Sequence, residues 1–149
     1  MTTIVHQEPH TQAVITALRG VGLVVGEGRE PDEPHAWAGG PATSQFISYV
    51  VVRPIPGGTR TGTLADPLAD ARMWYDVQCV ASEQIAAERV LDLVQDALQP
   101  GAFLIPGRKI VQVDPVTASL DVRRDDDPEP ESVSLFYGLY RFRLWTTPA

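Results

Sequence analysis

The chain reads as one α+β domain, a mostly antiparallel sheet with two helices packed on one of its faces. Three observations predict this. A length of 149 residues with 44% hydrophobic content suits a single core, so residues 1–149 are read as one domain. The stretch Asp70–Pro100 (DARMWYDVQCVASEQIAAERVLDLVQDALQP) runs from a strand pattern straight into an amphipathic helix pattern. The order along the whole chain is helix, short strand, strand, strand, helix and then a run of strands, which is the order of an α+β sheet with its helices laid on one side.

Taken in order, His10–Val21 gives a short helix with Val14, Ala17, Leu18 and Val21 on one side. His10 or Thr11 would cap it, and Gly20 would end it. His6 and His10 have the i,i+4 spacing of helical metal ligands, but Pro9 lies between them, so both are read as solvent-facing histidines. Leu23–Val25 is a short strand. Residues 27–44 are rich in Pro and Gly and form a long loop carrying Trp37, which either covers an edge of the core or docks on a partner.

Gln45–Arg53 (QFISYVVVR) is β-branched and aromatic on both faces, as a central strand would be. Pro54, Pro56, Gly57 and Gly58 end it and open a second long loop, residues 54–72, with the local echo Leu64-Ala65-Asp66-Pro67, Leu68-Ala69-Asp70-Ala71. Loops of this length in small domains are often functional, which makes this one a candidate contact arm. Met73, Tyr75, Val77, Cys79 and Ala81 then share one face of a strand, and Trp74, Asp76, Gln78 and Val80 the other.

Ser82 stands at the N-cap position of the following helix, with Glu83 near its positive end. Ala87, Val90, Leu91, Val94, Ala97 and Leu98 form the helix's apolar stripe, and Pro100-Gly101 stop it. Lys109–Val113 and Ala118–Arg124 read as strands joined by a turn at Asp114-Pro115, and Asp125–Glu131 as a solvated acidic tip. In the final strand, Val133–Trp145, Phe136, Gly138, Tyr140, Phe142 and Leu144 face the core. Leu135, Tyr137, Leu139, Arg141, Arg143 and Trp145 face away, a mixture of aromatics and arginines that suits a subunit contact.

A net charge of −7 argues against a free-standing nucleic-acid binder and against an anionic membrane face. Cys79 is the single cysteine, so no disulfide forms within the chain, and the expected setting is a reducing one. The N-terminal MTTIVHQEPH lacks a basic region followed by an apolar run, and no apolar segment approaches the ~20 residues of a membrane helix. The expectation is a soluble protein made inside the cell. No Walker loop, GxGxxG, GxSxG or zinc-spaced Cys/His set occurs in the sequence. Cys79 alternates with Tyr75 and Val77 on the core face, where a free cysteine behaves as a small hydrophobe. The reading is therefore of a non-enzyme with no catalytic residue, no metal and no cofactor.

From Asp66 to Leu98, the runs D-P-L-A-D-A, Y-D-V-Q-C-V and S-E-Q-I-A-A-E-R-V resemble the middle of tail terminator proteins of long-tailed (siphovirus-type) bacteriophages, in particular those of actinobacterial hosts. The sequence departs from that pattern at Ala81, where glycine is common, and at Ile85, where alanine is. The resemblance implies a tail-terminator-like α+β subunit that closes into a homo-oligomeric ring, typically a hexamer, at the head-proximal end of the tail tube. Such a ring stops tube polymerisation and offers the head-joining surface. Its partners would be itself, the tail tube protein and a head-completion or neck protein, with DNA passing through an acidic lumen unheld. It would be assembled in the host cytoplasm and reside in the virion at the tail–neck junction.

A ring needs two different patches on each subunit. The expected ones are Thr59, Arg60, Leu64, Asp66, Leu68 and Asp70 on the 54–72 loop, and Trp74, Tyr137, Arg141 and Arg143 on the outward sheet face. Two alternatives stand beside this reading. One is another neck or tail-completion subunit, such as a head-closure protein. The other is a small cytosolic enzyme or ligand-binding module with the Trp37 loop as its lid.

Overall fold

The computed structural model describes residues 5–29, 31, 48–62, 64–66, 68–117, 123–124 and 135–149. Two long antiparallel strands form its spine, β3 (Asp70–Ala81) and β6 (Phe136–Pro148), paired from Ala71↔Thr146 to Ala81↔Phe136. Around them stand α1 (Gln7–Gly20), β1 (Val24–Glu27), β2 (Tyr49–Thr61), α2 (Gln84–Leu98), β4 (Arg108–Thr117) and the short β5 (Arg123–Arg124). The sheet order is β1-β2-β3-β6-β4, with β5 also on β6. Among the described residues only the β1–β2 pairing is parallel.

Strict alternation along the spine assigns the faces. Tyr75, Val77 and Cys79 of β3 and Tyr140, Phe142 and Leu144 of β6 are buried, and Val50 and Val52 of β2 join them across the register. The Tyr75 and Tyr140 rings each stack against Phe142 at a centroid separation of 5.5 Å. Onto this face α2 lays Ala87, Val90, Leu91, Val94 and Leu98, and α1 lays Val14, Ile15 and Leu18. The α+β sheet with two helices on one face is thus the fold observed.

Several boundaries differ from expectation. Helix α1 begins at Gln7 rather than His10, because Pro9 sits in the first turn, where its missing N–H has no helical partner to lose. Neither His10 nor Thr11 caps it; the N-cap position is His6, whose side chain makes no capping bond. For α2 the N-cap position falls on Glu83 rather than Ser82, again without a side-chain capping bond. Its end is as expected: the Gly101 N–H donates to the Leu98 carbonyl at 3.0 Å, and Gly101 adopts φ 64°.

The 54–72 segment is not a structureless loop. β2 continues through it to Thr61, and the pairing resumes as Thr59↔Arg72, Arg60↔Ala71 and Thr61↔Asp70. A register shift between Ile55 and Thr59 absorbs Pro56-Gly57-Gly58, with Gly57 at φ 113°. Among the described residues β1 covers β2 only as far as Val52, and prolines are tolerated on the edge this leaves. For the same reason Asp114-Pro115 is no turn but part of β4, the outermost strand on the other side. Most of the 27–44 loop with Trp37, residues 45–47, the strand expected at 118–122, the acidic tip 125–131 and residues 133–134 lie outside the described residues.

Candidate functional site

The β2–β3 hairpin forms an arm at the end of the sheet where β6 finishes and β4 starts. Thr59 and Arg60 lie on its outgoing strand and Asp70 opens its return strand, all three beyond the register shift. At its turn the Ala69 N–H donates to the Asp66 carbonyl at 3.3 Å, and the Arg60 Nη2 donates to the Leu68 carbonyl at 2.9 Å, tying the tip back to β2. Leu64 stands fully exposed and Leu68 is 41% exposed, while Ala69, in the turn itself, is buried. Leu104, in the α2–β4 connection that ends at the same side of the sheet, is likewise almost wholly exposed.

The remaining expected residues lie on the sheet face away from the helices, at separate places. Trp74 is paired with Ile55 and Arg143, Tyr137 with Val80 and Arg123, and Arg141 with Asp76. The two arginines are engaged within the chain. Arg141 donates through Nε and Nη2 to both carboxylate oxygens of Asp76, at 2.7 and 2.9 Å, and that bond raises the guanidinium's pKa further. Arg143 donates to Asp114 at 2.7 Å. Arg53 donates to the Gln78 side chain at 2.8 Å, and the Arg72 guanidinium lies 4.5 Å from the centre of the Trp145 ring. These pairs run across a face that also carries Trp74, Tyr137 and Leu139, with Arg72 Nε and Trp145 Nε1 buried and unpartnered, and Trp74 joins the face to the arm by lining one groove with Thr59 and Arg60.

At the root of the arm an open groove of about 460 Å³ runs along the stretch of β2 that β1 leaves uncovered. Pro54, Ile55, Pro56, Met73 and Trp74 supply its apolar surface, Val5 and Gln7 close one side, and Arg60 and Arg72 bring positive charge. Sequence reasoning read this stretch as loop and so missed the groove. The signal in the sequence was the short run Thr59-Arg60-Thr61, which the register sets opposite Asp70-Ala71-Arg72.

A second feature was not foreseen. His10 is buried rather than solvent-facing, against expectation, because α1 carries it onto the end of β6. Its Nδ1–H donates to the His6 carbonyl at 2.7 Å, so its Nε2 accepts from the Thr146 hydroxyl at 2.8 Å. Arg108 in turn donates to Thr146, to Oγ1 through Nη2 at 3.1 Å and to the backbone carbonyl at 3.0 Å. Burial holds the His10 imidazole below its ordinary pKa, and the Arg108 charge adds to this; burial also lowers the Arg108 pKa, with Asp70 acting against the shift and Arg60 with it. This chain fastens α1, β4 and β6 at the base of the arm. No motif in the sequence announces it, since its members lie far apart along the chain.

Cys79 is fully buried and its thiol is pushed up to about 12 by desolvation, which leaves it without nucleophilic character. Among the described residues no group of three or more His, Cys, Asp or Glu side chains converges to hold a metal ion, and no helix is long and apolar enough to cross a membrane. No protein-family model matches the chain, and no curated protein matches it. Among solved structures it is similar to a chain in the virion of a native gene transfer agent (GTA) particle, at a TM-score of 0.61 and 15% identity, over 92% of this chain and 93% of that one. At that identity the likeness is one of fold.

Proposed function

We infer that this chain is a virion structural protein and, within that class, the tail terminator: a subunit that rings the head-proximal end of a tail tube, stops its growth and offers the surface to which the head joins. The observation that carries the reading is the likeness of fold, across nearly the whole of both chains, to a chain of the gene transfer agent virion. The resemblance of Asp66–Leu98 to phage tail terminators supplies the finer assignment. The geometry supports it in kind, since head-to-tail closure needs two unlike patches on one subunit. The arm with Thr59, Arg60, Leu64, Asp66, Leu68 and Asp70 is one, and the sheet face with Trp74, Tyr137, Arg141 and Arg143 is the other. The partners in this reading are further copies of the chain, the tail tube protein and a head-completion protein. A net charge of −7 lets DNA pass without being held.

The test is an elongation assay with purified tail tube protein. The terminator reading expects tubes to stop growing when this protein is added, with one cap per tube. It also expects capping to be lost, with folding intact, when residues 62–69 are replaced by a short turn. Unchecked elongation would contradict it. Binding to DNA-filled heads but not to tubes would move the chain to a head-closure role.

A further inference from the structure

We propose that His10, Thr146 and Arg108 form an acid-released latch on the arm-root groove: protonation of His10 frees the first turn of α1, and with it the Val5–Gln7 side of the groove, while the rest of the fold stays closed. The latch belongs to the single chain and does not depend on the assembly reading above. The hydrogen bonds leave no place for a second proton on His10. A backbone carbonyl only accepts, so the Nδ1 that lies 2.7 Å from the His6 carbonyl bears the ring proton, and Nε2 accepts from the Thr146 hydroxyl. A hydroxyl oxygen has two acceptor sites, and Arg108 occupies both, through Nη2 at 3.1 Å and Nε at 3.3 Å. A protonated imidazole donates from both nitrogens, so Thr146 Oγ1 would then face three donors. One of them must leave. The imidazolium would also stand beside the Arg108 charge in a site that is nearly free of water, since His10 is 1% exposed.

What yields is the part held least. The N-cap residue His6 makes no side-chain capping bond, and His6, Gln7 and Glu8 are exposed. Beyond the first turn α1 is held by Thr11, whose hydroxyl lies 3.0 Å from the Tyr75 hydroxyl of β3, and by the buried Ala13, Val14, Ile15 and Leu18. Release therefore stops at Thr11. Val5 and Gln7 flank His6 and line the groove, so freeing them widens it. The charge acting on His10 is that of Arg108 on β4, and Asp70 of β3 and Arg60 of β2 act on Arg108 in turn. On the other elements packed with α1, Glu27 of β1 lies 3.8 Å from Arg19, and Glu88, Arg89, Asp92 and Asp96 of α2 are exposed. His10 is thus the group placed to respond near neutrality.

Amide hydrogen exchange on the full chain, corrected for the intrinsic effect of pH on exchange, reads the release. Below the ordinary value of 6.5 the freed turn takes up a proton that the latched one refuses. Opening is then expected to rise by up to about tenfold per pH unit at the amides of Thr11, Gln12 and Ala13, which bond back to the first turn. The amides of Tyr75, Val77 and Cys79 should keep their protection over the same range. In NMR spectra the Val5 methyl signals should shift with the same midpoint as the His10 ring. His10→Gln is expected to abolish the acid dependence at the first turn. Arg108→Met returns an acceptor site to Thr146 Oγ1, so in that variant the turn should stay protected as His10 protonates. Equal loss of protection at the first turn and at Tyr75–Cys79, or no loss at either, overturns the proposal. So does an acid dependence that His10→Gln leaves unchanged, and the wild-type comparison decides the matter even where a variant fails to fold.

Discussion

Gly57 is where a single side chain decides the arm's path. Its φ of 113° lies where an L side chain is strained, and it sits in the register shift that steers β2 past its two prolines. Gly57→Val is expected to cost about 1–2 kcal/mol, read as a lowered urea midpoint. His10 sets the pH dependence of the arm's base. Its pKa is lowered in the fold, so the unfolded chain binds the extra proton first. Its contribution is therefore complete above the ordinary value of 6.5 and is lost as pH falls below it toward the depressed folded value. The midpoint of the wild type should drop between pH 7 and pH 5, and His10→Gln should flatten that drop. Thr146→Val, which takes the hydroxyl from both His10 and Arg108, is expected to cost about 1–3 kcal/mol at neutral pH. A His10→Gln protein as pH-sensitive as the wild type would show that other groups carry the dependence.

Helix α2 is the element that fastens the helical layer to the sheet. Leu91 is buried in the middle of its stripe, and Leu91→Ala is expected to lower stability by about 2–5 kcal/mol through the cavity it leaves. The same stripe was legible in the sequence because three- and four-residue spacing survives whatever the helix packs on. The faces of β3 and β6 were legible for the matching reason, a clean period of two. Where reading failed, proline was the cause. Pro9, Pro54, Pro56 and Pro115 were each read as breakers, and each stands where a missing N–H costs little: the first turn of α1, the uncovered reach of β2, the outermost strand β4. Edge or centre is a property of the assembled sheet, so one strand's own residues do not reveal it. The groove went unseen because it exists only once that edge is formed. Of the two expected patches, Thr59 and Arg60 of the arm and Trp74 of the sheet face line one groove, while Arg141 and Arg143 spend their hydrogen bonds inside the chain.

At the scale of the whole molecule, helices pack on one sheet face, the opposite face mixes ion pairs with aromatic side chains, and an arm with exposed leucines stands off one end. The described residues hold one continuous core and leave Leu64 and Leu104 exposed at the arm's end of the sheet. The central claim, proposed above, is that the chain assembles into a closed ring on a tail tube. Negative-stain imaging of the purified protein at high concentration and on tail tubes, with its mass in solution followed by light scattering, tests it most directly. The account predicts closed rings with a hole wide enough for duplex DNA, capping one end of each tube. A monodisperse monomer that forms no ring even when mixed with tubes would contradict it.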